Sequence, residues 1–158
     1  MKAVRTFTLV CILSLMVLSC EKDSPHYSAN DFEWAMHNYM SDYRVAQGKT
    51  ALVWFPDIFI EAREQSIAWK KSGDINAGIN ERIGTIQDHW APESLAWFPD
   101  YFMGKADTSS AYQRFQVWIA DSATKALILD DFVQSGIGVA TSDDVVYITT
   151  FLMKITTK

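Results

Sequence analysis

Residues 136–152 read GIGVATSDDVVYITTFL. Apolar and β-branched residues fill both ends of this stretch, and a polar segment of turn-forming residues, Thr141-Ser142-Asp143-Asp144, separates them. Two such runs around a short turn predict an antiparallel β-hairpin. Gly136-Ile137-Gly138 lacks the third glycine and the following helix of a dinucleotide-binding loop, so we interpret it as a tight start of the first strand.

The residues that begin the domain, well before this hairpin, have a helical pattern. Asn30 and Glu33 have the spacing of a capping box, and Gly48 is a stop signal. Between them the apolar residues recur at helical spacing, at Phe32, Met36, Tyr39, Met40 and Tyr43. The sequence therefore predicts a first helix that starts after Asn30.

Two further helices follow. Pro56 can occupy the first turn of a second helix that ends before Gly73, with one face formed by Phe59, Ala62, Ser66 and Trp69. A third helix is predicted after Asp107, with residues 123–129 either continuing it or forming a separate short helix. Residues 74–106 show no clean period and are predicted to be irregular. Helices followed by an antiparallel pair indicate an α+β domain.

Length and charge exclude some classes of protein. The chain has 158 residues, is 49% apolar and 21% charged, and carries a formal net charge of −5, which fits one globular domain. Nucleic-acid binding needs clustered Lys and Arg residues, and the sequence has no such run. We therefore expect no nucleic acid among its partners.

The N-terminus has the pattern of an export signal. Lys2 and Arg5 precede an apolar stretch over residues 7–18, which is too short to cross a bilayer as a helix. Val17-Leu18-Ser19-Cys20, at the end of this segment, resembles the bacterial lipobox. In that motif the peptide bond before the cysteine is cleaved, and the cysteine is acylated. This resemblance implies a signal peptide over residues 1–19, a lipidated Cys20 with a tether over residues 20–29, and a domain over residues 30–158. It places the protein in the bacterial cell envelope, extracytoplasmic and anchored by lipid, on the periplasmic face or the cell surface, with the outer membrane as the expected membrane.

The three histidines give little support for a catalytic centre. His26 lies in the tether, and His37 lies in the first helix, where we predict a hydrogen-bonded packing role. His89 precedes Glu93 by four residues, and a histidine and a carboxylate could begin a metal site. Zinc normally has three or four protein ligands, so we interpret His89 as a loop residue in an aromatic neighbourhood and predict no metal.

Six tryptophans could form a carbohydrate platform. Four of them fall in or beside amphipathic segments and are predicted to lie in the core: Trp34, Trp54, Trp69 and Trp118. Trp90 and Trp97 lie in the irregular region and are candidates for a binding surface.

Several short motifs follow one another in a family-like order. They are His37-Asn38 to Arg44 before Gly48, then Gly78-Ile79-Asn80-Glu81-Arg82, Pro92-Glu93-Ser94, residues 118–129, and the strands of the hairpin. This order resembles the CAP superfamily (cysteine-rich secretory, antigen 5 and pathogenesis-related domains), in its bacterial SCP-like branch. The resemblance spans about residues 31–153. It implies a three-layer α–β–α sandwich with a central antiparallel sheet, and it places additional strands within residues 74–106.

The departures from the family pattern affect its metal site. Asn76 occupies the position of one family histidine, and Thr124, or Lys125 if the register shifts by one, that of the other. Glu93 is retained, and Asp121 lies near a second acidic position. Asparagine is a poor zinc ligand, and neither threonine nor lysine replaces imidazole as a neutral nitrogen donor, so we expect the inherited metal site to be lost. The resemblance implies a ligand-binding cleft formed by Asn76, His89, Trp90, Glu93, Trp97, Asp121 and Thr124.

Our leading hypothesis is a lipid-anchored, non-catalytic CAP-like binding or interaction domain without a cofactor. Its partners are the membrane, through the anchor, and a lipid, cell-wall or protein ligand. The alternative is a metal-assisted hydrolase acting on peptide or cell-envelope substrates, with Glu93 as general base and His89 as ligand or acid.

Overall fold

The structure is a computed structural model that describes residues 27–155. The predicted signal peptide and Cys20 lie outside the described residues. The elements are, in chain order, α1 (Asp31–Ala46), β1 (Val53–Trp54), α2 (Pro56–Ser72), α3 (Ile79–Trp90), β2 (Ser94–Met103), α4 (Thr108–Ala120), α5 (Ser122–Leu129), β3 (Gln134–Ser142) and β4 (Val145–Lys154). Within this part of the chain, no helix combines the length and the apolar character needed to cross a membrane.

The sheet has the strand order β1-β3-β4-β2. The predicted hairpin is confirmed as β3 and β4, and β2 pairs with β4 antiparallel along its whole length. Strand β1 pairs parallel with β3 over two residues, so the sheet is mixed rather than purely antiparallel. The α+β class and the three-layer arrangement are confirmed.

Local signals placed the first two helices correctly. The Glu33 backbone N–H donates to Asn30 Oδ1 at 2.9 Å and the Glu33 carboxylate accepts from the Asn30 backbone N–H at 2.8 Å, which completes the capping box. Pro56 opens α2, and Gly73 ends it in the left-handed region with φ of 73°. Asp121 caps a new helix, so residues 122–129 form the separate helix α5.

The expectation that residues 74–106 are irregular is wrong. They contain α3 and β2. Helix α3 buries only Ile79 and Ile86, and two buried positions in twelve residues are too few to give a visible period. Strand β2 contains Pro99, and most of its residues are partly buried rather than alternately buried and exposed, so its period-2 pattern is weak. The additional strands implied by the family resemblance amount to this one strand.

Successive strand residues point to two separate cores. Ile137, Val139 and Ile148 pack with residues of α1 and α4 on one face, whereas Phe151 and Met153 pack with α2 and α3 on the other. The sheet therefore separates an α1/α4/α5 layer from an α2/α3 layer.

Helix α2 lies directly on the backbone of β3. A Cβ atom on Gly136 would lie 2.3 Å from the Phe59 nitrogen, and one on Gly138 would lie 1.9 Å from the Arg63 nitrogen. Ser66 Oγ reinforces the contact, since it lies 2.9 Å from the Gly138 carbonyl oxygen. The glycines of the GIG segment therefore provide the docking site for α2, beyond the tight strand start that the sequence indicated.

Arg44 holds the chain segments at one end of α1. Its side chain is buried, with 2% of its surface exposed. Its guanidinium donates to the carbonyl oxygens of Thr50 at 2.9 Å, Ile128 at 2.6 Å, Asp130 at 2.7 Å and Phe132 at 2.6 Å. One side chain thus fixes the link from α1 to β1 and the link from α5 to β3.

We predict that Gly138→Ala lowers the free energy of unfolding by about 3 kcal/mol or more, because α2 must move away from the sheet to admit the methyl group. Gly84→Ala is the matched control: Gly84 lies in α3 with nothing within 4 Å of the added Cβ. It should raise stability by up to about 1 kcal/mol. Urea unfolding measures both, and equal stabilities of Gly138→Ala and wild type would contradict the account of α2 docking.

Candidate functional site

A groove lies between the edge strand β2 and helix α4. It consists of two adjoining cavities of about 300 and about 180 Å³, which share Arg114 and Val117. Phe102, Met103 and Val117 form apolar walls, with Met103 70% and Val117 50% exposed. We call this feature the β2–α4 groove.

The carboxylate of Asp100 lies in the groove beside the helix. It is paired with Arg114 through two hydrogen bonds, and it accepts from Trp118 Nε1 at 2.5 Å and from the Tyr101 backbone N–H at 2.8 Å. These four donors use the hydrogen-bonding positions of both oxygens. Asp100 therefore holds α4 on β2, and both of its oxygens accept hydrogen bonds from the protein itself.

Two of the residues predicted for the cleft line the smaller cavity. They are Asp121 and Thr124, at the junction of α4 and α5. The Thr124 backbone N–H donates to Asp121 Oδ2 at 2.7 Å, and this hydrogen bond holds the pKa of Asp121 below its ordinary value. The Asp121 carboxylate thus caps α5 and keeps a negative charge at this end of the groove.

The other predicted cleft residues lie elsewhere. Trp90 and Trp97 pack against the α2/α3 core on the opposite face of the sheet. His89 lies in the last turn of α3 and not in a loop, with Nδ1 2.9 Å from the Thr85 carbonyl oxygen. Asn76 lies in the turn before α3, where its backbone N–H donates to Asp74 at 2.9 Å, and Glu93 pairs with Lys154 at 3.2 Å. The structure therefore does not bring the seven residues together into one cleft.

The same separation applies to the possible metal ligands. In the described range 27–155, no three His, Cys, Asp or Glu side chains are grouped so that they could hold a metal ion. Asn76 lies between α2 and α3, while Thr124 lies in α5. The two positions that resemble the family histidines therefore belong to different layers.

Sequence reasoning missed the residues that form most of the groove. Arg114 and Trp118 are four residues apart on α4, so the helical pattern alone places them on one face. Their partner Asp100 was not found, because β2 was not recognised as a strand.

A second feature lies at the start of α1. Trp34 was predicted to be a core residue, but 42% of its surface is exposed. Its ring lies on Trp54 with a centroid separation of 4.5 Å. His37 is buried beneath this pair, and its Nδ1 lies 2.8 Å from Ser135 Oγ, which confirms the predicted packing role. Burial lowers the pKa of His37, and the charge of Asp42 opposes this effect.

Comparison with known proteins identifies the fold. Neither a family model nor a curated protein matches the sequence. Among solved structures, an outer surface protein of Borrelia burgdorferi matches with a TM-score of 0.68 at 11% identity, over 82% of this chain and 97% of that one.

Two further structures carry the family name. A cysteine-rich secretory protein of Staphylococcus aureus gives a TM-score of 0.60 at 12% identity, over 82% of this chain and 41% of that one. An extracellular SCP-domain protein of Bacillus anthracis gives 0.57 at 14%, over 78% and 40%. The chain thus spans about two fifths of these two proteins, and it has the CAP fold.

The burial of His37 predicts a pH dependence of stability. Its pKa is lower in the folded than in the unfolded chain, so the folded state binds fewer protons, and stability falls as the pH drops below about 6.5. One such group contributes at most about 1.4 kcal/mol per pH unit. Urea unfolding of His37→Asn between pH 7.5 and 5.5 should show a flatter dependence of stability on pH than wild type. An unchanged slope in His37→Asn would contradict this origin.

Proposed function

We propose that this CAP-fold chain is a lipid-anchored, non-catalytic binding domain of the bacterial cell envelope, and that its ligand occupies the β2–α4 groove. The observation that carries the proposal is the state of Asp100. The Asp100 carboxylate, between the walls of the groove, is held by Arg114, Trp118 and the Tyr101 backbone N–H. Such a group shapes a binding surface and has no lone pair directed at a substrate.

The walls of the groove indicate the chemistry of the ligand. Phe102, Met103 and Val117 offer apolar contact along its length, and Arg114 and Asp121 place charges beside it. This combination suits a group with an apolar part and a polar end. Lipids, cell-wall components and protein side chains all offer such groups.

The anchor is supported by the sequence before the domain. Residues 7–18 are apolar except for Thr8 and Ser14, and Cys20, which follows two residues later, has the position of a lipobox cysteine. The fold agrees with an envelope location, since it resembles that of an outer surface protein over nearly the whole length of that protein. Two or more acyl chains would hold the domain stably on a membrane.

The metal-assisted hydrolase is not favoured by the geometry. His89 Nδ1 lies 2.9 Å from the Thr85 carbonyl oxygen, which leaves Nε2 as its possible ligand atom, and Glu93 is paired with Lys154. A catalytic zinc normally needs three protein ligands. Within residues 27–155, His89 and Glu93 have no third His, Cys, Asp or Glu placed to complete such a set.

We expect Cys20→Ala to abolish retention in the membrane fraction or to block processing, because alanine has no sulfur that can be acylated. Fractionation and immunoblotting of cells measure this. Cys11→Ala is the control, since Cys11 lies within the predicted signal peptide and should leave retention unchanged. A Cys20→Ala protein that is processed normally and stays on the membrane would overturn the anchor.

The groove is tested by backbone amide chemical shifts of the domain, titrated with an envelope lipid extract and with solubilised peptidoglycan fragments. We expect shifts at Arg114 and Val117, and an at least tenfold weaker binding for Val117→Glu, which puts a charge on an apolar wall. Val45→Glu is the matched control, because Val45 is 56% exposed on α1 and lies outside the groove. Equal binding by Val117→Glu and wild type would exclude the groove as the site.

A further inference from the structure

Two tryptophan rings form an exposed surface at the start of α1. Trp34 is 42% exposed, and its ring is tilted by 31° on the partly buried ring of Trp54. We call Trp34 and Trp54 the tryptophan face. Its edge is supported from below by His37, whose ring centroid lies 5.3 Å from that of Trp54.

This face is joined by continuous contacts to the point where the described chain begins. The Arg63 guanidinium lies 5.3 Å from the ring centroid of Tyr27 and 4.8 Å from that of Phe59. The Phe59 ring in turn lies 5.0 Å from the Trp54 ring. Tyr27 is also fixed by its hydroxyl, which donates to Glu64 at 2.6 Å. The tryptophan face and the entry of the chain are therefore at the same end of the domain.

The length of chain before Tyr27 limits how far this end can lie from the anchor. Cys20 precedes Tyr27 by seven residues, which span at most about 25 Å even when fully extended. A lipid on Cys20 would therefore keep the entry of the chain at Tyr27 within this distance of the membrane surface. The tryptophan face follows after the three contacts of 5.3, 4.8 and 5.0 Å that join it to Tyr27.

Indole rings have the chemistry of the membrane interface, because they combine a large apolar surface with one hydrogen-bond donor. The acidic chain has a net charge of −5, so attraction to anionic lipids is not the basis of such a contact. We propose that the tryptophan face docks on the headgroup region of the bilayer that holds the lipid anchor. This inference rests on the proposed anchoring at Cys20.

The test uses the chain from Cys20 onwards, in which Cys20 is the single cysteine. The thiol is coupled to a maleimide lipid in phosphatidylcholine vesicles, and tryptophan fluorescence is measured with and without brominated phosphatidylcholine, which quenches indoles at short range. We expect quenching of the coupled wild-type protein, and the loss of most of that quenching in Trp34→Phe, which keeps an apolar ring at this position.

Trp69→Phe is the matched control, because Trp69 is 7% exposed at the far end of α2 and its removal should leave the quenching intact. Equal quenching of wild type and Trp34→Phe, or no quenching of the coupled wild type, would overturn the docking. The maleimide lipid supplies the anchor chemically, so these results do not depend on acylation in cells. Failure of the anchor would appear only in the Cys20→Ala fractionation.

Discussion

The direct seating of helix α2 on the backbone of β3 determines the rest of the structure. Because Gly136 and Gly138 carry no side chain, the helix approaches the strand more closely than any other residue would allow. This brings Arg63 next to the neighbouring Val139, and both donate to the buried carboxylate of Glu33 at the start of α1. The position of α2 thus sets that of α1, and the far end of α1 carries Arg44, which orders two connecting segments.

The sheet also separates the β2–α4 groove from the α2/α3 layer, which lies on its other face. Strand β2 forms the edge of the sheet beside β4, and Asp100 joins it to α4 through Arg114 and Trp118. The groove between β2 and α4 is therefore part of the α1/α4/α5 layer. The other face of the sheet is filled by α2, α3 and their aromatic neighbours, so the metal-site positions implied by the family resemblance are divided between the layers.

Much of the fold could be predicted from the sequence, because its signals are local. The capping box at Asn30, the proline that opens α2 and the alternation in the hairpin each act within a few residues. The cleft could not be predicted in this way. Neighbouring residues of a strand point to opposite faces, so Trp97 and the adjacent Phe98 enter different cores although they are one residue apart. The order of motifs along the chain does not contain this information.

The central claim is that a CAP-fold domain at the cell envelope binds its ligand between β2 and α4. A crystal structure of the protein purified from its own envelope, with whatever it retains, tests this most directly. The account predicts a ligand between Val117 and Met103, with Asp100 still held by Arg114. A ligand seated between α2 and α3 beside Trp90, or a metal ion bound by His89 and Glu93, would contradict it.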